Sequence, residues 1–139
     1  MSIRKNETML VQDVMLPPSR FPVVEETTIL KETLEEMGKF RLGIACVVGA
    51  NNQLMGILTD GDIRRKLLKV QKPFSAFFVD DTLDHSIRTP LTSRPTDTLV
   101  QAVGLMGEKH VWDLPVVDDH GALVGLLHLH PAIQALLKE

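Results

Sequence analysis

Two stretches of this chain follow one pattern. Leu54-Met55-Gly56-Ile57-Leu58-Thr59-Asp60-Gly61-Asp62-Ile63 returns as Leu123-Val124-Gly125-Leu126-Leu127-His128-Leu129-His130-Pro131-Ala132. In each, a short apolar run of strand length passes directly into residues that suit a helix start. Working outward, a shift of 69 residues lays Thr27 on Thr96, Leu30 on Leu99, Met37 on Met106, Gly38 on Gly107, Val47-Val48 on Val116-Val117, and Leu54, Gly56 and Leu58 on Leu123, Gly125 and Leu127. These nine identities fall in one ungapped register between Thr27 and Leu58. Internal repetition of this kind governs the fold.

Each copy reads alike. Leu30, Leu34 and Met37, then Leu99, Val103 and Met106, recur at helical spacing. Thr28 and Asp97 are candidate N-caps, and Gly38 and Gly107 candidate helix stops. Ile44 to Val48 and Leu114 to Val117 read as buried strands, with Pro115 expected at a strand start or edge. Return strands follow at Leu54–Leu58 and 122–127, and closing helices begin near Asp60 and near Pro131. Short segments, 21–24 and 86–92, lead into the copies. The expectation is an α/β (α+β) fold of two β-α-β-β-α repeats, packed sheet to sheet with pseudo-two-fold symmetry. Residues 1–71 would hold the N-terminal segment and first repeat, 72–85 a connector, and 86–139 the second repeat.

Composition narrows the function classes. With 139 residues, 44% hydrophobic and 24% charged, the chain can bury a core without staples. A net charge of −3, from 15 basic and 18 acidic residues, argues against a general nucleic-acid binder. One tryptophan and no tyrosine leave few stacking platforms. Cys46 is the sole cysteine, so no intrachain disulfide forms, and it reads as a small core residue in a reducing compartment. His110 and Asp113 make no convincing triad with it. No apolar run reaches the length of a membrane span, and residues 1–10 lack a signal-peptide core. A cytoplasmic location, without membrane or nucleic-acid partners, is expected.

The repeated pattern resembles a tandem cystathionine-β-synthase (CBS) domain pair, or Bateman module, from about Val11 to the C-terminus. Within that family, Thr59-Asp60-Gly61-Asp62-Ile63-Arg64-Arg65 and Leu126-Leu127-His128-Leu129-His130 are similar to the C-terminal CBS pair of bacterial arabinose-5-phosphate isomerases, which feed the pathway to the acidic sugar Kdo. The isomerase domain has no counterpart here, so the resemblance implies a non-catalytic regulatory module. It implies a nucleotide or nucleotide-sugar (AMP, ADP, ATP or CMP-Kdo) in clefts between the repeats, a flat homodimer and a Kdo-pathway enzyme as partner. It implies that Asp62 holds the ribose hydroxyls, that Thr59 lies near the phosphate, and that the backbone of Leu42, Gly43, Ile44 and Ala45 reads the base or sugar.

Elementary chemistry agrees at several of these positions. A carboxylate can accept from two hydroxyls at once, and a helix start offers free N–H groups to a phosphate. Arg65 is the candidate phosphate or carboxylate contact; Arg64, Lys66 and Lys69 read mainly as a solvated helix face. Asp60 and Asp62 could equally be helix caps. Copy two has His128 and Pro131 in place of Thr59 and Asp62, so a single good nucleoside site is expected. His128 and His130, two apart on a strand, would face the same way. That invites a metal, but two ligands are too few, and no metal site is assigned. A cleft contact with an anionic sugar or a structural role are the alternatives. Trp112 reads as a buried or interface ring, with a cleft-flanking ring as the alternative. The rival reading of the whole chain is a structural dimerisation module without a small-molecule ligand.

Overall fold

A computed structural model describes residues 8–69 and 71–138. Most of the N-terminal stretch tested for a leader lies outside the described residues. The chain forms two compact units, one of residues 19–90 and one joining the segment up to Pro18 to residues 91–138.

In the first unit, β1 (Val23–Glu25), α1 (Leu30–Phe40), β2 (Ile44–Val48), β3 (Leu54–Thr59) and α2 (Asp60–Lys69) follow the expected order, with a short α3 (Phe74–Phe78) in the connector. The sheet order is β1-β2-β3: β1 is parallel to β2, and β2 pairs antiparallel with β3, setting Ile44 opposite Thr59. All five residues of β2 are buried, which is why an uninterrupted apolar run serves as its central strand. Leu30, Met37, Ala45, Leu58 and Phe77 form the core.

The second unit repeats the plan with α4 (Leu99–Lys109), β4 (Asp113–Val117), β5 (Leu123–His128) and α5 (Leu129–Leu137). Its core gathers Val11, Leu99, Met106, Leu114, Val116 and Leu127. Where the first unit has β1, this one has a single parallel bridge, Ser93 to Val116. The cause is Pro115. Its counterpart Cys46 donates its N–H to Pro22 O at 3.0 Å; proline has no N–H, so the parallel ladder loses a rung. Pro115 thus stands within β4 and not at its start; β4 is an edge strand of a two-stranded sheet, which is the other place expected for it.

The compact units are cut differently from the contiguous division 1–71, 72–85 and 86–139. Residues 10–16 bridge Thr98 and Leu126 at Leu10 and Leu16, and residues 81–87 bridge Ile29 and Ile57 at Asp81 and Ile87. One residue of the segment leading into each repeat, Leu16 or Ile87, therefore pairs with the open strand edge of the other repeat. Unpaired N–H and C=O groups on that edge need partners. Ile57 and Ile87 exchange both backbone bonds, at 3.0 and 2.8 Å, as do Leu16 and Leu126, at 2.8 and 3.0 Å.

Helix ends also depart from expectation. Gly38 and Gly107 lie inside their helices. The left-handed residues that end them are Arg41 and His110, both at φ 55°. The caps are Ile29, which makes no side-chain bond, and Thr98, whose Oγ1 accepts from Gln101 N. Thr28 and Asp97, the expected caps, instead accept from Glu25 N and Arg94 N in the preceding turns.

Candidate functional site

The first unit's site is built where β3 becomes α2 without a loop. Thr59 ends the strand and Asp62 stands in the first helical turn. Thr59 Oγ1 donates to Asp62 Oδ2 at 2.8 Å, Thr59 N donates to the same oxygen at 3.3 Å, and Asp62 N donates back to Thr59 Oγ1 at 3.2 Å. This is a reciprocal capping box with aspartate as its acid. Arg65 Nη2 donates to Asp62 Oδ1 at 2.6 Å. The Arg65 side chain is 58% exposed and that of Asp62 13%. Arg65 folds back over the helix start, since a Cβ built at Gly61 would stand 3.1 Å from its Nη1.

Gly43 adjoins this end. Its carbonyl accepts from Asp60 N at 3.0 Å, and a Cβ there would come within 2.9 Å of Asp60 Oδ2. The structure thus brings Gly43, Ile44, Thr59, Asp62 and Arg65 together. Ile44 and Ala45 are buried, and Leu42 is half-buried with its N–H turned to Met37 O.

An exposed arginine–carboxylate pair contributes little, about 0–1 kcal/mol. Asp62 Oδ1 can therefore exchange its arginine for a hydroxyl at small cost. Its other oxygen stays on Thr59, which fixes the carboxylate in place.

At the equivalent place in the second unit the chemistry differs. His128 caps α5 by position but makes no side-chain cap bond. Its Nδ1 lies instead 2.7 Å from Asp113 Oδ1, directly across the β4–β5 pair. Burial holds the Asp113 carboxyl above its ordinary value, although the His128 contact pulls the other way. Pro131 occupies the place of Asp62 and offers no acceptor. His130 lies in α5 and is exposed, so the two histidines do not share a strand face as expected. Trp112 is 71% exposed, which overturns the buried reading; its carbonyl accepts from Leu129 N at 2.9 Å, as Gly43 O does from Asp60 N. Sequence reasoning missed Asp113 as a partner of His128. The signal was the repeat itself, which puts a carboxylate where the first copy has Ile44.

Cys46 is buried in β2. Among the described residues, no three His, Cys, Asp or Glu side chains gather as a metal site, and no helix is long and apolar enough to cross a membrane.

Comparison with known proteins agrees with this architecture. The family model for the CBS domain matches residues 11–69 and 80–130. An uncharacterised protein of Helicobacter pylori is 34% identical over 125 residues, which is 89% of this chain and 36% of that protein. Arabinose 5-phosphate isomerase KdsD of Escherichia coli is 32% identical over 126 residues, 90% of this chain and 37% of the isomerase. The chain thus spans just over a third of the length of these relatives. Among solved structures, that of CBSX2 in complex with AMP superposes with a TM-score of 0.81 at 29% identity, covering 93% of this chain and 96% of that one.

Proposed function

From the premise that this chain belongs to the CBS-domain family, as a tandem CBS pair, we propose that it is a non-catalytic regulatory module that senses a nucleotide at the Thr59–Asp62 end of its first unit. The observation that carries this reading is the half-committed Asp62 carboxylate. One oxygen is held by Thr59, and the other is bound only to a solvent-exposed arginine. A ribose hydroxyl replaces Arg65 on Oδ1, and the released guanidinium turns to the phosphate. The resemblance to CBSX2, solved with AMP, favours an adenine nucleotide. The similarity to KdsD keeps CMP-Kdo beside AMP, ADP and ATP, with a Kdo-pathway enzyme as the cytoplasmic partner and a homodimer as the working form. Binding then shifts the population toward the arrangement the ligand prefers.

Isothermal titration with AMP, ADP, ATP and CMP-Kdo, repeated on Asp62→Asn, tests this. Asparagine keeps the side-chain shape, and circular dichroism verifies the fold. One of the four ligands binds, and the variant binds it at least about tenfold more weakly, since a charge-assisted hydrogen bond is worth roughly 1.5–3 kcal/mol. Absence of binding by all four, or equal affinity in the variant, leaves Asp62 as a helix cap and the module as structural.

A further inference from the structure

An apolar pocket of about 260 Å³ lies among α1, α2 and α3 of the first unit, lined by Leu30, Leu34, Ile63, Leu67, Phe77 and the stem of Lys66. Its wall also includes His85. That ring is 11% exposed, its Nε2 is spent on Asp80 at 2.8 Å, and its buried Nδ1 has no hydrogen-bond partner. Buried polar atoms without partners are rare in native proteins and call for an explanation.

A second depression, of about 230 Å³, shares Lys66 and His85 with the cavity and adds Lys69 and Ser86. Its two carboxylates are already paired, Asp62 with Arg65 and Asp84 with Arg88. Among the described residues Lys66 and Lys69 have no carboxylate partner, so the depression carries uncompensated positive charge. The two spaces taken together fall within the roughly 300–1,000 Å³ of ordinary ligand pockets, and they pair an apolar body with a few convergent polar groups.

We propose that the first unit holds a second ligand site, for a small amphiphilic anion whose apolar body fills the cavity and whose phosphate or carboxylate meets Lys66 and Lys69. The lysine stem lies along the apolar wall while its ammonium reaches the headgroup. The apolar cavity is bounded by side chains the nucleotide reading does not use, whereas the headgroup depression is also lined by Asp62 and Arg65 and so adjoins the proposed nucleotide site.

The test is titration of the full chain with hexyl phosphate, inorganic phosphate and hexanol, followed by calorimetry and by backbone NMR shifts in α1 and α2. Hexyl phosphate binds at least tenfold more tightly than either half-ligand and shifts both helices. Leu34→Trp fills the cavity and abolishes this binding. Leu67→Trp, at a position already 36% exposed, does the same with less risk to folding. The double variant Lys66→Gln, Lys69→Gln weakens binding at least tenfold. Nucleotide affinity is measured on the same cavity variants, and its presence or absence leaves this result unaffected. Hexyl phosphate binding no tighter than inorganic phosphate, or equally to the tryptophan variants, overturns the proposal. So does a change of oligomeric state in Leu67→Trp without any hexyl phosphate binding, which would assign the cavity to a second copy of the chain.

Discussion

His128 Nδ1 and Asp113 Oδ1 stand 2.7 Å apart across the β4–β5 pair, at the place where the first unit sets Thr59 opposite Ile44. One repeat has thus kept a hydroxyl over an apolar neighbour, and the other carries a half-buried acid–imidazole pair. The same backbone frame presents two different chemistries.

The pair makes stability depend on pH. Burial raises Asp113, so the folded state favours its protonated form. Its stabilising contribution is complete below the ordinary value of 3.8 and is lost as pH rises through the higher folded value. Asp80 behaves oppositely. The hydrogen bond from His85, then that from Lys72, lowers it, so its contribution is present above 3.8 and lost as pH falls through the lower folded value. Urea midpoints measured against pH separate the two. Asp113→Asn removes a decline that wild type shows above pH 3.8, and Asp80→Asn softens the acid loss below it. If Asp113→Asn shows the wild-type slope above 3.8, burial of this carboxyl does not govern the pH response.

The hydroxyls of Thr33 and Thr82 meet at 2.5 Å with both residues fully buried, tying the connector turn to α1. Thr33→Val strands the Thr82 hydroxyl without a partner and costs about 1–3 kcal/mol. The double change Thr33→Val, Thr82→Val is much closer to neutral, because both ends of the bond become apolar together. A double-mutant cycle by chemical denaturation measures the coupling; additive single effects would show that the contact is not a working hydrogen bond.

The glycines divide by what surrounds them. A Cβ at Gly56 would lie 2.8 Å from the carbonyl of Ile87, backbone that cannot give way without breaking the pairing of Ile87 with β3. Gly56→Ala is therefore expected to cost about 1–3 kcal/mol. Gly38 lies within α1 with nothing inside 4 Å of a Cβ. Gly38→Ala stabilises by about 0.5–1 kcal/mol, since alanine loses less backbone freedom in a helix. Thermal denaturation of the two variants should move the midpoint in opposite directions; a shared direction would contradict the packing described around Gly56.

Much of this was legible beforehand because it is local. The period of Leu30, Leu34 and Met37 announces α1, and the repeat carries the same reading to α4. The Thr59–Asp62 spacing places a hydroxyl and a carboxylate one helical turn apart, enough to expect a cap; the expectation of a ligand contact there comes from the family resemblance. Helix ends were less legible. The last turns of α1 and α4 run past Gly38 and Gly107 to Arg41 and His110, where the backbone turns left-handed and the helical ladder stops. His130 misled for a related reason: β5 ends at His128 and α5 begins at Leu129, two residues short of the strand span that a shared face for His128 and His130 requires.

The sequence by itself determined the two-fold repetition, the alternation of strands and helices, the burial of β2 and β4, and the chemistry available where each return strand meets its helix. All of these follow from residue type and from spacings of a few positions. Only the tertiary structure decided that Leu16 pairs with β5 and Ile87 with β3, that Asp113 faces His128, and that three helices leave a cavity beside His85. Each joins residues far apart in the chain. An open strand edge takes whichever segment the folded chain brings alongside it, and that choice leaves no periodic mark in the sequence.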